Sequence, residues 1–376
     1  MILPGYIARR FLRMFLIVSG AFIAILFLLD LVEQIRRFSG QGIGLAEAAG
    51  LSALNIAGAF YAIMPLVTVL AAIALFIGLA RSSELVAIRA SGRSALRFLV
   101  APTVTAFLIG LAAVAVLNPF VAASSKRYDE AITRVRAEGA QTISVGQGAV
   151  WLRQSLPPET SDDGRDQTSG GQVVIRADRA SPDATTLYDA TFIVFSAEQG
   201  PLRRLEARQA VLQRGSWVLT DVKQWLLAAE NPEVEAALHT EITLPSDLTA
   251  DRIRDSFGQP DAVPIWQLPS FIRGLEQAGF SAQRHQVWFQ MELARPFLMA
   301  AMVLVAAVFT LRHLRGRNVG IPVLLAFGCG IAVFFLRNMA QVLGDNGQVT
   351  AIMAAWTPPL VAALAALAAI LQQEDG

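Results

Sequence analysis

The sequence predicts an α-helical integral membrane protein with six transmembrane helices and one inserted all-β domain, for three reasons. The chain is 54% hydrophobic and only 16% charged, whereas about a quarter of a typical soluble domain is charged. Its apolar residues lie in six runs long enough to cross a hydrocarbon core of about 30 Å. Between the third and fourth runs, apolar and polar residues alternate as they do in β-strands.

The six predicted spans have approximate limits of 14–32, 51–80, 98–122, 287–311, 319–341 and 350–371. The second run has no charged residue and would form a helix of about 45 Å. We therefore expect it to tilt, protrude or break at Pro65. The first run is too long for a cleavable signal peptide and is interpreted as a true span.

The distribution of arginine predicts the orientation, because cytoplasmic loops are enriched in basic residues. Three basic groups fall on one side of a six-span topology: Arg9, Arg10 and Arg13; Arg81, Arg89, Arg93 and Arg97; and Arg312, Arg315 and Arg317. The short loops on the opposite side hold Arg36 and Arg37. We expect both termini in the cytoplasm and the all-β domain outside it.

The middle of the chain is predicted to be a β-sandwich or jelly roll. Short alternating runs are separated by turn signals such as Arg214-Gly215; they cover 149–153, 172–177, 191–195, 205–212, 217–222 and 234–242. Residues 157–171 read as a loop. Residues 264–280 have helical apolar spacing and are interpreted as an interfacial helix. The predicted domains are 1–139 with spans one to three, 140–262 with the β domain, and 263–376 with the interfacial helix and spans four to six.

Several function classes find no support in the sequence. The net charge is +1, which does not favour nucleic acid. No Gly-Lys dipeptide occurs, so there is no P-loop for ATP. The three histidines lack metal-ligand spacing, and no Gly-x-Ser-x-Gly nucleophile motif is present. The single cysteine, Cys329, excludes an intramolecular disulfide and is interpreted as a small buried hydrophobe. We therefore predict no catalytic residue, metal site or cofactor in this chain.

The loop between spans two and three is a candidate docking helix at about 82–93. Ser82 or Ser83 can cap it, Glu84 suits its first turn, and Gly92 can end it. Leu85, Ala87 and Ile88 form a small apolar face beside Glu84 and Arg89. The pattern fits a helix that docks onto a cytoplasmic partner and fits a plain connecting helix equally well.

Charged residues at membrane depth are candidate functional residues, because such charges are costly and usually face a cavity or partner. Asp30, Arg36 and Arg37 lie at the outer end of span one, where interfacial snorkelling is the alternative. Arg295 lies near the start of span four, and Arg337 lies inside span five within a long charge-free run. The two basic residues against the positive-inside trend suggest an anionic ligand.

Three segments give the chain a resemblance to a known family. They are Leu-Val-Glu-Gln-Ile-Arg-Arg at 31–37, Arg-Ser-Ser-Glu-Leu-Val-Ala-Ile-Arg-Ala-Ser-Gly at 81–92, and residues 268–296. Together they resemble the lipopolysaccharide export permeases, the LptF/LptG family, and most of all its LptG branch. The resemblance covers nearly the whole chain and implies a periplasmic β jelly roll between two sets of three spans.

The resemblance implies a permease subunit of an ABC-type exporter in the inner membrane of a Gram-negative bacterium. Such a permease pairs with an LptF-like permease and binds two copies of a separate LptB-like ATPase, which hydrolyses the ATP. It extracts lipopolysaccharide from the membrane and passes it through the jelly roll to LptC-like and LptA-like proteins.

The resemblance also assigns residues. Glu84 with Leu85, Ile88 and Arg89 would form the coupling helix that docks onto the ATPase. Arg36 and Arg37 would bind the lipid's phosphates, for which guanidinium groups are well suited.

One charge pattern departs from the family. Relatives can carry lysine at the position of Asp30 and an acidic residue at that of Arg337, so the two signs look exchanged here. Our hypothesis is that Asp30 and Arg337 both face the cavity and bind substrate, with Arg337 supplying the positive charge lost from span one.

Two other classes of function stay open at this point. A mechanotransmission or scaffold protein could link a cytoplasmic ATPase to envelope machinery through the same helix, without carrying lipid. A membrane enzyme acting on a lipid or glycan would form product without added ATPase.

Overall fold

The computed structural model describes residues 2–38, 44–82, 84, 95–136, 143–146, 149–155, 172–181, 185–196, 200–213, 215–227, 229, 231–246, 248, 260–277, 280–311 and 320–375. The chain forms two compact units. One comprises Met1–Arg136, Pro260–Trp266 and Gln283–Gly376, and we call it the membrane unit; the other comprises Ala137–Gln259 and Gln267–Ala282, and we call it the β unit.

The membrane unit contains six helices that are long and apolar enough to cross a membrane, which confirms the predicted number. They are α1 Ile2–Phe38; α2 Leu45–Arg81; α3 Ala95–Ala112, continued by a π-helical turn at Ala113–Leu117 and by α4 Asn118–Arg136; α6 Gln283–Thr310; α7 Gly320–Asp345; and α8 Ala351–Asp375. We call these spans one to six, with α3, the π turn and α4 together forming span three.

The spans are longer than their apolar runs. Span two has 37 residues and continues through Pro65 without ending. A proline inside a membrane helix is tolerated when neighbouring groups satisfy the carbonyl that it leaves without a donor. The alternative that the second run breaks at Pro65 is therefore wrong, and its tilt or protrusion stays a prediction.

Close packing of the spans depends on small residues. A Cβ added at Gly110 in span three would lie 2.6 Å from the Pro296 Cα in span four. In span five, a Cβ added at Gly330 would lie 3.0 Å from a methyl group of Val69 in span two. A Cβ added at Gly344 would lie 2.8 Å from the Cβ of Ala354 in span six. Glycine lets helix backbones approach closely in membranes, where dispersion contacts drive association.

The β unit contains an antiparallel sheet. Its described strands pair in sequence order, with bounds β1 Ile143–Gly146, β2 Ala149–Ser155, β3 Gln172–Ala180, β4 Thr186–Ser196, β5 Gly200–Gln213, β6 Ser216–Leu226 and β7 Ala237–Pro245. The six predicted strands are confirmed as β2 to β7, mostly with extended ends. The short β1 was not predicted. Of the turn predicted at Arg214-Gly215, Arg214 lies outside the described residues. Gly215 has φ +84°, a backbone conformation that favours glycine.

A crease crosses the sheet. The strands keep their register on both sides of it, but pairing is interrupted at Asp178, Asp189, Arg208, Asp221 and Thr240. Asp189 and Asp221 both have φ +51°, which is rare for residues other than glycine. Such interruptions let a sheet bend over its own face.

The bend brings non-neighbouring strands together around a filled interior. Gln154 in β2 donates from Nε2 to the carbonyl of Pro245 at the end of β7, at 3.2 Å. Its Oε1 accepts from the Trp217 indole at 3.2 Å and from the Ser246 hydroxyl at 2.7 Å. Phe192 and Trp217 pack edge to face at 6.1 Å. The described interior of the sheet is therefore mainly apolar, and the Gln154 amide joins the Trp217 indole, the Ser246 hydroxyl and the Pro245 carbonyl.

The helix predicted at 264–280 is α5, Leu268–Gln277. Leu268, Ile272 and Leu275 are its buried residues, as the apolar spacing predicts. The helix groups with the sheet in the β unit rather than with spans four to six. The compact units thus place α5 in the β unit and Pro260–Ala262 in the membrane unit, whereas the predicted division at residue 263 places each on the other side.

Candidate functional site

Asp30 lies in a polar cluster between spans one, two and three. Its Oδ1 accepts from Asn55 Nδ2 at 2.8 Å, and its Oδ2 accepts from Gln34 Nε2 at 3.4 Å. Gln34, buried, also donates to the Tyr128 hydroxyl at 2.8 Å. Amide donors thus hold the Asp30 carboxylate, so part of its charge is already stabilised within the chain.

Arg36 and Arg37 are exposed at the Phe38 end of span one. Arg36 Nη2 lies 2.9 Å from Glu33 Oε2 one helical turn away. An exposed pair of this kind contributes little to stability. Both guanidinium groups are therefore accessible to an anionic ligand.

Arg337 lies on the packed face of span five. Gly330 and Gly344, which contact spans two and four, are each seven residues from it, so two helical turns place all three on one face. Arg337 is 7% exposed, and its Nη1 donates to Asn338 Oδ1 at 3.3 Å. Within the described part of the chain it forms no salt bridge, although the charges of Glu292 and Arg295 act on it, and it does not meet Asp30.

A buried ion pair lies in span four. Glu292 is fully buried and Arg295 is 2% exposed. Arg295 Nη2 donates to Glu292 Oε1 at 2.6 Å, and its Nε donates to Oε2 at 3.2 Å. Glu292 Oε2 also accepts from the Tyr61 hydroxyl of span two and from Asn118 Nδ2 of span three, the latter at 3.4 Å. We call Tyr61, Asn118, Glu292 and Arg295 the polar node.

The polar node satisfies a backbone group that Pro65 leaves without a helical donor. In a regular helix the residue-65 N–H would donate to the carbonyl of Tyr61, but proline has no N–H. Arg295 Nη1 donates to that carbonyl at 2.8 Å, and its guanidinium carbon lies 3.8 Å from the centre of the Tyr61 ring. Arg295 thus pairs with a buried carboxylate and stabilises the proline-containing span two.

Glu84 lies just beyond the end of span two. Its two carboxylate oxygens each accept from Arg10 Nη1 at 2.7 Å, and Oε2 also accepts from the Tyr6 hydroxyl at 3.0 Å. These contacts hold the pKa of Glu84 below its ordinary value, with the Arg10 hydrogen bond the largest cause. The other predicted coupling residues, Leu85, Ile88 and Arg89, lie outside the described residues.

Comparison with known proteins identifies the family. The model of the lipopolysaccharide export system permease LptF/LptG matches residues 5–372. The chain belongs to the LptF/LptG family. It is 23% identical over 371 residues to the lipopolysaccharide export system permease protein LptG of Escherichia coli strain K12, covering 96% of this chain and 94% of that protein. It is 21% identical over 354 residues to LptG of Haemophilus influenzae, covering 94% and 92%.

Membership in the LptF/LptG family confirms the predicted resemblance and agrees with six spans around an all-β domain. The chain is therefore a multi-pass membrane protein with a role as a lipopolysaccharide export permease. The polar node was only partly foreseen. Arg295 stood out in the sequence as a membrane charge, whereas Glu292 was missed. Glu292 could have been predicted from its position three residues before Arg295, because side chains at this spacing meet on one face of a helix.

Proposed function

We propose that this LptF/LptG-family chain is a transmembrane subunit of an ATP-driven lipopolysaccharide exporter. It would extract the glycolipid from the inner membrane and pass it through its β unit toward the outer membrane. One observation carries the proposal: the family match extends over residues 5–372, so it includes both sets of spans and the inserted sheet. A match to the spans alone would have left the role of the sheet without support.

Arg36, Arg37, Arg337 and Asp30 are the proposed lipid-binding residues. Arg36 and Arg37 are exposed at one end of span one, where guanidinium groups can bind phosphates by bidentate hydrogen bonds. Arg337 is a buried cation that forms no salt bridge among the described residues. A lipid phosphate would supply the missing negative charge. Asp30, held by Asn55 and Gln34, would set the orientation of polar groups around the lipid.

The β unit is proposed to shield acyl chains in transit. Most of its described interior side chains are apolar, as an acyl chain requires, and Gln154 and Ser246 are polar exceptions. Trp217 and Phe192 fill that interior in this structure. Passage of an acyl chain therefore requires these rings to move, or the sheet to open where Gln154 bonds the end of β7.

ATP hydrolysis is proposed to take place on a separate LptB-like ATPase dimer, since the chain has no Gly-Lys dipeptide for a P-loop. Glu84, with Leu85, Ile88 and Arg89, would form the docking helix. Glu84 is bonded to Arg10 and Tyr6 in this structure. Docking would then either exchange these partners or extend the network to a basic residue of the ATPase.

The remaining partners follow from the family. An LptF-like permease would complete the membrane pathway, and LptC-like and LptA-like proteins would receive the lipid. This arrangement requires both termini in the cytoplasm and the β unit in the periplasm, as the arginine distribution predicts. Labelling single introduced cysteines with a membrane-impermeant reagent would check that orientation, after replacement of Cys329.

The deciding experiment is purification of the tagged chain from its native membrane in mild detergent, with mass spectrometry of all proteins and lipids that accompany it. We expect a second six-span permease, a P-loop ATPase and lipopolysaccharide. Glu84→Ala should release the ATPase, while Glu47→Ala at the other end of span two should not. Recovery without ATPase or glycolipid would contradict the proposal and favour a scaffold or an enzyme.

A further inference from the structure

The polar node extends beyond the spans to a short segment of the backbone. Asn118 Oδ1 accepts the Ile265 N–H at 2.9 Å, while its Nδ2 donates to Glu292 Oε2. The two ends of one buried amide therefore join a charged group inside span four to the segment 260–266. We call residues 260–266 the connecting segment.

The connecting segment lies in the sequence between two parts of the β unit. It belongs to the membrane unit, but the residues before it, 137–259, and after it, 267–282, belong to the β unit. Both of its ends thus continue covalently into the β unit. Any displacement of these seven residues relative to the spans must be taken up by the β unit or by the backbone that leads to it.

A second bond attaches the connecting segment to span three. The Trp266 indole Nε1 donates to the carbonyl of Ala115 at 3.4 Å. Ala115 lies in the π-helical turn, a feature that marks local irregularity and often function in helices. The connecting segment therefore binds span three where its helix is widened.

The polar node joins irregular points of three spans. Arg295 bonds the carbonyl freed by Pro65 in span two, Asn118 precedes Pro119 in span three, and Pro296 follows Arg295 in span four. Proline and π turns are positions where helices bend. The hydrogen bonds of the polar node are buried, so a stretched bond has no water to replace its partner. When one span bends, such a bond therefore either breaks or is exchanged for another.

We propose that Asn118 is a positioning residue that transmits rearrangement of the spans to the connecting segment and so to the β unit. This inference rests on the proposed export function. The Asn118–Ile265 bond holds the connecting segment in the state described here and opens during the transport cycle. When the Asn118–Ile265 bond is lost, ATP hydrolysis continues but less lipid is delivered for each ATP hydrolysed.

The test uses the complete exporter in proteoliposomes that contain lipopolysaccharide, with delivered lipid per ATP hydrolysed as the readout. Asn118→Leu removes the acceptor, and Ile265→Pro removes the donor. Ile265→Val is the matched control, because it trims the same side chain and keeps the N–H. We expect both disrupting variants to hydrolyse ATP within about twofold of wild type and to deliver at least tenfold less lipid per ATP. Asn118→Leu also removes the bond to Glu292. The double variant should be no worse than Asn118→Leu alone, because that variant already lacks the Asn118–Ile265 bond.

Equal delivery per ATP by Asn118→Leu, or an Ile265→Val defect as large as that of Ile265→Pro, would overturn the inference. A measurement on the unaltered complex covers the case in which a variant fails to assemble. Hydrogen exchange at the Ile265 amide should be faster during ATP turnover than without ATP, and equal exchange would contradict the proposed opening. If the unaltered complex hydrolyses ATP but delivers no lipid, the export proposal itself fails.

Discussion

Substitution of Arg295 by methionine tests the energetic role of the polar node. Methionine keeps much of the length of arginine but removes the charge and all donors. Glu292 is then a buried carboxylate without its cation, a change that costs about 3–5 kcal/mol. The Tyr61 carbonyl also loses its donor, because Pro65 cannot replace it.

The expected result is a large loss of stability. At roughly 2 °C per kcal/mol, a cost of about 3–5 kcal/mol lowers the apparent melting temperature by at least ~6 °C. The assay is thermal unfolding in mild detergent, followed by the fraction of protein that stays monodisperse. Arg337→Met is the matched control in a neighbouring span. Because Arg337 forms no salt bridge among the described residues, this control should cost clearly less stability than Arg295→Met.

Two further variants separate the contributions. Arg295→Met with Glu292→Gln removes both charges and keeps a side-chain oxygen to accept from the Tyr61 hydroxyl and from Asn118. It should recover most of the loss, leaving about 1–3 kcal/mol for the Tyr61 carbonyl. Pro65→Ala restores a backbone N–H that can donate to the Tyr61 carbonyl. It should recover part of the remaining loss of stability only when Arg295 is absent, because Arg295 otherwise already donates to that carbonyl. The reasoning is refuted if the double variant is as unstable as Arg295→Met alone. It is also refuted if Pro65→Ala acts equally in both backgrounds.

Three other predictions concern packing, charge and the sheet. Gly110→Leu should destabilise the protein by about 1–3 kcal/mol or more by forcing spans three and four apart, while Gly20→Leu, which has open space, should be nearly neutral in thermal unfolding. Burial raises the pKa of Asp261, so Asp261→Asn should raise the melting temperature at neutral pH. Gln154→Leu should cost about 1–3 kcal/mol, because the buried Trp217 indole N–H loses its acceptor.

The sign of the Asp261 prediction follows from proton linkage. A raised pKa in the folded state means that folding favours the protonated acid, so wild-type stability falls as pH rises through the folded pKa. The advantage of Asp261→Asn should therefore be complete above that pKa and absent below about 3.9, the ordinary value for aspartate. An advantage that persists unchanged at acid pH would contradict the assignment. For Gly110 and Gln154, a variant as stable as wild type would contradict the packing and hydrogen-bond arguments respectively.

Much of the candidate site could be predicted from the sequence, because charges in an apolar run are conspicuous. Arg337 stood out for that reason, and its burial on the packed face of span five agrees with the cost of exposing it to lipid. Its lack of a bond to Asp30 could not be predicted, since two residues 307 positions apart meet or miss according to helix packing. Glu292 was overlooked because its significance depends on Tyr61 and Asn118, which lie on other spans.

The sequence by itself determined the number of spans, the insertion of an all-β domain and the family, because hydrophobic run length and strand alternation are local properties of the chain. Only the tertiary structure decided how Pro65 is accommodated. A proline frees a carbonyl locally, but the donor that satisfies it, Arg295, comes from a distant part of the sequence. The partners of buried polar groups depend on which helices pack together, and that is a property of the whole fold.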